Sequence, residues 1–135
     1  MNGRSGFDDK CIDEITELDV EVVTISMYRF FSPLRDLFTI WQLYLFFKRE
    51  RINIAFNFST KPNIFGSIAA WFAGVPLRVF HVVGMGTAFL PQTRLRGKFI
   101  QSVFRGLYKI ACNVSAKVWF TNKNDLSFFV KEEFL

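Results

Sequence analysis

Residues 59–91 read STKPNIFGSIAAWFAGVPLRVFHVVGMGTAFLP. Ser59-Thr60 can cap a helix, and Pro62 stands where the first helical residue belongs. Small residues then recur along the segment, which lets a helix lie close on a sheet; they are Gly66, Ser67, Ala69 and Ala70. The segment therefore predicts a helix over 62–72 that packs tightly against a sheet.

The same segment continues into a turn, a strand and a glycine loop. Gly74 is the residue type that ends helices, and Val75-Pro76 turns the chain. The apolar run 77–83 is typical of a strand, and it ends in Gly84-Met85-Gly86. Glycines at the carboxyl end of a parallel strand expose backbone N–H groups at the edge where open α/β folds bind ligands. The sequence therefore predicts a binding site at this edge.

The rest of the chain alternates strands and helices in the same way. Strands are predicted over 20–27, 52–58 and 116–121, and helices over 34–48, 95–113 and 123–131. With about 25 to 30 residues a unit, the alternation predicts an α/β fold with a Rossmann-like parallel sheet, right-handed crossovers and helices on both faces. At 135 residues the chain is at most one domain.

Composition and charge limit the kinds of fold and partner that the chain can have. Half of the residues are hydrophobic, including 18 Phe, which is ample for a core. Residues 1–21 hold seven acidic and two basic groups, which leaves a net charge of +10 from residue 22 on. This net positive charge favours phosphate, anionic lipid or nucleic acid as a partner. Ordinary solvated protein surfaces can carry such a charge as well.

Cysteine and histidine are scarce. Cys11 and Cys112 make no disulfide framework, there is no metal-ligand spacing, and His81 is the only histidine, so neither a metal nor a cofactor is expected. The N-terminus has no apolar signal region, and the longest uncharged run, residues 62–77, is too short and too interrupted to span a membrane. We therefore expect a cytoplasmic protein with reduced cysteines.

An ordered set of motifs runs along the central segment. They are Thr60-Lys61-Pro62-Asn63 with Gly66 and Ala69-Ala70, then Ala73-Gly74-Val75-Pro76, then Val82-Val83-Gly84-Met85-Gly86 with Phe89. Flanking matches are Arg29, Pro33 and Asp36-Leu37 upstream, and Phe120-Thr121-Asn122 with Asp125 downstream. Together they resemble the acceptor half of family 4 glycosyltransferases, especially those that build capsule, O-antigen and lipid-linked glycans on the bacterial cytoplasmic membrane. The resemblance covers about residues 20–128.

This resemblance implies a retaining enzyme of the GT-B fold, of which residues 1–135 form part of the N-terminal acceptor domain. In that family this half opens with a strand, a glycine-bearing loop, a helix and a second strand, and a donor domain with two spaced glutamates follows. Neither part is recognisable here, so we expect a fragment that is inactive alone. The implied reaction moves a sugar from a nucleotide-sugar, bound by the absent C-terminal domain, to a polyprenyl-diphosphate-linked saccharide. The implied location is peripheral, on the inner face of the plasma membrane.

The predicted acceptor site gathers residues at the carboxyl ends of the strands. The resemblance puts the glycine loop in the cleft between the two halves, and the strand ends add further polar groups; the set is Thr60, Lys61, Asn63, Gly84, Gly86 and Asn122. Lys61 can meet a pyrophosphate beside a helix N-terminus. For these positions a tight turn, helix capping or a solvated side chain remains the alternative.

No catalytic residue is assigned, and His81 is a weak candidate. Relatives in the wider superfamily usually carry a histidine six residues after the proline, whereas His81 lies five after Pro76. A one-residue offset points a strand side chain to the opposite face, which favours a structural role.

The helix over 95–113 is basic and amphipathic. Its basic residues and the one before it are typical of contact with an anionic membrane; they are Arg94, Arg96, Lys98, Arg105 and Lys109. The alternative is a helix packed on the sheet with a solvated basic face.

Three other function classes compete with this one. A non-catalytic fragment that binds a membrane surface or a partner protein remains the alternative. A dinucleotide-binding oxidoreductase fails, because Gly84-x-Gly86 lacks a third glycine and a following acidic residue at the required spacing. Nucleic-acid binding rests on charge alone and is not expected.

Overall fold

The structure is a computed structural model, and it describes residues 21, 23–28, 32–84 and 95–135. In chain order the elements are α1 (Pro33–Arg49), β1 (Ile54–Phe58), α2 (Thr60–Ala73), β2 (Leu77–Val82), α3 (Leu95–Val114), β3 (Lys117–Phe120) and α4 (Lys123–Lys131). These elements match the prediction in type and to within about two residues at most ends. The strand predicted over 20–27 is wrong where it can be checked, because residues 23–28 are not in a strand. β-Branched residues favour a strand only where a neighbouring strand pairs with them, and none of the described strands pairs with residues 23–28.

The three strands form a parallel sheet in the order β1-β2-β3. Ile54 pairs with Leu77 at the start of β1, and Val79 pairs with Lys117 at the start of β3. The predicted α/β fold with a Rossmann-like parallel sheet is therefore confirmed. The prediction also placed helices on both faces, whereas the described helices that share a core with β2 lie on one face of the sheet. Because consecutive strands lie side by side in chain order, right-handed crossovers place their connecting helices on one face of the sheet. On that face α2, α3, α4 and β2 share one core, built around Phe65, Phe80, Tyr108 and Phe129.

The tight packing of α2 on β1 depends on Gly66. A Cβ atom at this position would lie 2.1 Å from Oδ1 of Asn57, a distance that real atoms do not adopt. Asn57 is buried and its Nδ2 donates a hydrogen bond to Oγ of Ser67, 3.3 Å away, so the amide has little room to move. The prediction that small residues let this helix approach the sheet is confirmed.

The two ends of α2 are set by local chemistry. Gly74 adopts a left-handed φ of 76° and its N–H donates to Trp71 O, which ends the helix as predicted. The helix begins at Thr60, two residues earlier than predicted, and Pro62 is accommodated because backbone N–H groups in the first turn need no intrahelical partner. Ser59 is the N-cap residue, but its side chain makes no capping hydrogen bond.

Helix α1 packs mainly on α2. Ile40 and Leu43 pack against the main core, and Phe47 packs on a smaller cluster with Ala55 and Ala70. Among the described residues no helix is long and apolar enough to cross a membrane.

The face of the sheet opposite the helices carries aromatic side chains. Phe58 and Trp119 are 52% and 56% exposed, and His81 lies between them, stacked on Trp119 at 4.9 Å and edge-on to Phe58 at 5.1 Å. Phe56 joins the same group at 4.8 Å from Phe58. We call these four residues the aromatic sheet face.

Candidate functional site

The carboxyl ends of the three parallel strands lie at one edge of the sheet. β1 ends at Phe58, β2 at Val82 and β3 at Phe120, so the residues that follow each strand meet at this edge, which we call the carboxyl rim. Thr60, Gly84 and Asn122, all predicted site residues, are brought to the rim. Gly86 and Arg94, which were also predicted, lie outside the described residues.

Lys61 is engaged in a buried ion pair. Its Nζ lies 2.6 Å from Oδ1 of Asp36, and the two side chains are only 12% and 7% exposed. Nζ also donates to the backbone oxygen of Tyr28 at 2.8 Å, and Asp36 Oδ2 accepts from Ser32 N at 3.1 Å. The pair joins the start of α2 to α1. For Lys61 to meet a pyrophosphate, as predicted, it would have to leave Asp36.

Asn63 is used by the fold in a similar way. Its side chain is 2% exposed, and its Nδ2 donates to the backbone oxygen of His81 at 2.7 Å. Its Oδ1 accepts from the backbone N–H of His81 at 3.3 Å. Both ends of the amide therefore hold the first turn of α2 against β2, which leaves little of the side chain for a ligand.

Thr60 connects the rim to α3. It shares a hydrogen bond with Tyr108, a fully buried residue at the centre of the core. Burial raises the pKa of Tyr108 to about 12, and the hydrogen bond from Thr60 opposes this by a smaller amount. Tyr108 therefore stays neutral at physiological pH and acts as a structural hydroxyl.

His81 points away from the core, as its offset from Pro76 predicted. Its strand neighbour Val82 is buried on the helical side, whereas the imidazole lies on the aromatic sheet face. Nε2 is 3.0 Å from Oγ1 of Thr121, and that hydroxyl donates its proton to Val82 O at 3.2 Å. With that hydroxyl proton used, Nε2 is assigned as the donor to Thr121 Oγ1. Nδ1 is buried and has no hydrogen-bond partner among the described residues.

Asn122 caps α4. Its Oδ1 accepts from the backbone N–H of Asp125 at 2.9 Å, and its Nδ2 donates to Asp125 Oδ2 at 2.7 Å. This is the capping role that the sequence left open, and the residue remains exposed at the rim.

Gly84 differs from the other rim residues, because the described fold does not require a glycine there. A Cβ atom at this position would meet nothing within 4 Å, and its φ does not lie in the left-handed region. The residue is exposed directly after β2. No described residue other than its chain neighbours therefore fills the space beside the Cα atom of Gly84.

The predicted basic residues of α3 divide into two groups. Arg96, Lys98 and Lys109 are exposed, whereas Arg105 is paired with Glu132 at 2.7 Å. The ion pair of Lys61 with Asp36 was not predicted from the sequence. A signal was present, since Asp36 is the sole acidic residue between residues 22 and 49 and belongs to the upstream motif.

No protein-family model matches the chain. Over 107 residues the chain is 31% identical to the UDP-Gal:alpha-D-GlcNAc-diphosphoundecaprenol alpha-1,3-galactosyltransferase of Escherichia coli. The match covers 79% of this chain and 26% of that enzyme, so the chain spans about a quarter of the relative's length. The chain is therefore similar to one segment of a galactosyltransferase that, by its name, acts on a sugar linked to a lipid diphosphate.

Proposed function

We propose that this chain is the acceptor-side part of a glycosyltransferase whose acceptor is a saccharide linked to a lipid diphosphate. The observation that carries the proposal is its 31% identity, over 107 residues, to a galactosyltransferase with such an acceptor. The Rossmann-like sheet supports the proposal, because folds of this class bind ligands at the carboxyl ends of their strands. The finer assignment to family 4 and the GT-B fold rests on the motifs around Lys61, Gly74 and Gly84.

The rim contributes backbone groups more than side chains. Lys61 and Asn63 are held by Asp36 and His81, so neither is available to a diphosphate without breaking a contact of the fold. The first turn of α2 and the backbone at Gly84 offer N–H groups, and helix N-termini favour anionic oxygens. In this proposal the diphosphate of the acceptor lies over Gly84, and the nucleotide-sugar donor is bound by a separate domain.

A glycine-specific experiment tests the proposal. The chain is joined to the donor domain of a matching transferase, with a preceding strand supplied, and transfer of a labelled sugar to a lipid-diphosphate acceptor is measured. We expect Gly84→Val to abolish transfer while donor affinity stays nearly unchanged, since the branched side chain fills the space above the backbone. Normal turnover by Gly84→Val would remove this loop from the active site.

Gly106→Val is the matched control for that experiment. Gly106 is also exposed, and a Cβ there also meets nothing within 4 Å, but it lies inside α3 and not at the end of a strand. We expect it to leave transfer intact. The unjoined chain should bind no UDP-sugar in calorimetry, and tight binding would overturn the assignment of donor contacts to another domain.

A non-catalytic protein that binds a membrane surface is the second candidate function. Exposed apolar residues at the start of α3, Leu95 and Phe99, lie beside the exposed Arg96 and Lys98, which is the composition of a membrane-surface helix. The same surface serves the first candidate, since an enzyme with a lipid-linked acceptor works at a membrane surface, which we propose is the inner face of the plasma membrane. Transfer by the joined protein separates the two candidates.

A further inference from the structure

An apolar stripe lies on the outer side of α1. The side of α1 that packs on α2 carries Ile40, Leu43 and Phe47. The opposite side carries large exposed residues at spacings of three, one, three and four, which place them on one helical face; they are Leu34, Leu37, Phe38, Trp41 and Leu45. Leu34 and Leu37 are 84% and 64% exposed. A helix that is apolar on two opposite sides needs a second apolar environment.

The stripe continues onto the end of α2. Phe72 borders a shallow cleft of about 320 Å³ together with Leu37, Trp41 and Tyr44. The ring of Phe38 lies 5.7 Å from that of Trp41, and Trp71 lies 4.8 Å from Phe72. We call the five α1 residues with Trp71 and Phe72 the α1 patch. Contiguous apolar surface of this kind marks an interaction site.

The charges around the α1 patch are cationic. The acidic residues between residues 32 and 51 are Asp36 and Glu50, and both are held, by Lys61 and by Arg49 at 2.6 Å. Lys48 follows Leu45 by three positions, on the side of the stripe, and it is exposed. An apolar aromatic patch with a cationic border suits a bilayer interface with anionic headgroups.

We propose that the α1 patch inserts into the interface of an anionic bilayer and so holds the carboxyl rim near the membrane. The inference rests on the proposed function in one respect, because an acceptor carried on a lipid requires the site to lie at a membrane. It assigns a second membrane contact, distinct from the basic surface of α3. Insertion of Trp41 and Leu37 is driven by apolar burial, so it persists in salt that screens the contacts of Arg96 and Lys98.

Tryptophan quenching locates the insertion. The chain has three tryptophans, at positions 41, 71 and 119. A Trp71→Phe/Trp119→Phe variant retains Trp41 alone, and a Trp41→Phe/Trp71→Phe variant retains Trp119 on the aromatic sheet face as the control. The probe is a vesicle of phosphatidylglycerol and phosphatidylcholine with brominated acyl chains. We expect Trp41 emission to shift to the blue and to be quenched, and Trp119 emission to change little. An unquenched Trp41 in sedimenting protein would overturn the proposal.

A matched pair of double variants tests the energetics. Leu37→Glu/Trp41→Glu places charges in the α1 patch, and Leu95→Glu/Phe99→Glu does the same on α3; all four side chains are exposed, so folding should be retained. At high salt we expect the first variant to lose about tenfold or more in vesicle partitioning, because two large apolar side chains no longer leave water, and the second to lose less. Wild-type partitioning by the α1 variant overturns the proposal.

Two further outcomes are distinguished by design. The vesicles contain no lipid-diphosphate, and transfer is measured separately on the joined protein with a detergent-dispersed acceptor. Vesicle binding without transfer therefore counts against the proposed function alone, whereas transfer without vesicle binding counts against insertion alone. If Trp41 is buried without lipid and sedimentation finds a dimer that the α1 variant abolishes, the patch binds a second copy of the chain and the proposal is overturned.

Discussion

Replacing Gly66 with alanine tests the closest approach between α2 and β1. The added Cβ would lie 2.1 Å from Oδ1 and 2.8 Å from Cγ of Asn57, so either the amide must move or the helix must lift from the sheet. Overpacking of this kind costs roughly 1–3 kcal/mol. Loss of the Asn57–Ser67 hydrogen bond at a buried position adds roughly 1–3 kcal/mol. Alanine has a higher helix propensity than glycine, which stabilises the fold by about 1 kcal/mol. We expect a net loss of about 3 kcal/mol in the free energy of unfolding.

Urea unfolding followed by circular dichroism measures this loss as a shift of the midpoint at constant slope. Gly106→Ala is the control, because a Cβ there meets nothing within 4 Å and the helix propensity term alone should stabilise by about 0.5–1 kcal/mol. An Asn57→Ala/Gly66→Ala variant should recover part of the loss, since it removes the atoms that clash. If Gly66→Ala is as stable as Gly106→Ala, the packing argument is refuted.

Three other predictions follow from the described contacts. Lys61→Met should destabilise the fold by about 3–5 kcal/mol, measured by urea unfolding, because it leaves the carboxylate of Asp36 buried without its partner. Burial raises the pKa of the Cys112 thiol to about 12 from an unfolded value of 9.0. The unfolded chain then releases its proton first, so this thiol's contribution makes stability fall as pH rises above 9.0, and native Cys112 should resist alkylation until the chain unfolds. Arg96→Glu/Lys98→Glu, with Arg94→Glu, should weaken sedimentation with anionic vesicles at low salt, since these cations meet the headgroups.

Each of these predictions has its own control. A Lys61→Met/Asp36→Leu variant should recover much of the stability, because no charge is then left buried; full destabilisation in the double variant would show that the pair is not the cause. Rapid alkylation of Cys112 in native protein would contradict its burial in the core. For the cations at the start of α3, the control with the same change in net charge is Lys117→Glu/Lys123→Glu/Lys131→Glu, at three residues outside α3 that are also exposed. If both variants lose sedimentation with anionic vesicles to the same extent, the effect comes from net charge and not from the position of the cations.

The parts of the fold that were predicted well are those with local causes. Gly74 ended α2 because a left-handed residue is needed there, and the helix from Lys123 to Lys131 was bounded correctly because Asn122 is a good N-cap residue. The strand expected over 20–27 was wrong for its described residues, 21 and 23–27, and the reason is non-local. Its valines fit a pleated surface, but strand formation depends on a neighbour that the sequence pattern does not specify.

The sequence predicted the position of the candidate site more accurately than it predicted which side chains are available there. Parallel strands bring their carboxyl ends together whatever residues follow them, so the position of Thr60, Gly84 and Asn122 at one rim was predictable from the alternation alone. Which side chains are open to a ligand depends on tertiary contacts. The lysine of the motif was expected to be available, yet it is paired with Asp36, some 25 positions earlier in the chain.

At the carboxyl rim, two of the predicted side chains hold the fold together, and this limits how the proposed site can bind a ligand. Asn63 and Lys61 build the rim, by holding α2 to β2 and to α1, whereas the backbone at Gly84 is exposed and unneeded by the described packing. A site of this kind recognises a ligand through N–H groups, which donate hydrogen bonds and favour anionic oxygens without supplying a full positive charge. A diphosphate fits such donors, and any lysine or arginine that completes its charge balance must come from outside these residues. The segment 85–94, which holds the rest of the glycine loop and Arg94, is the first place to seek it by substitution.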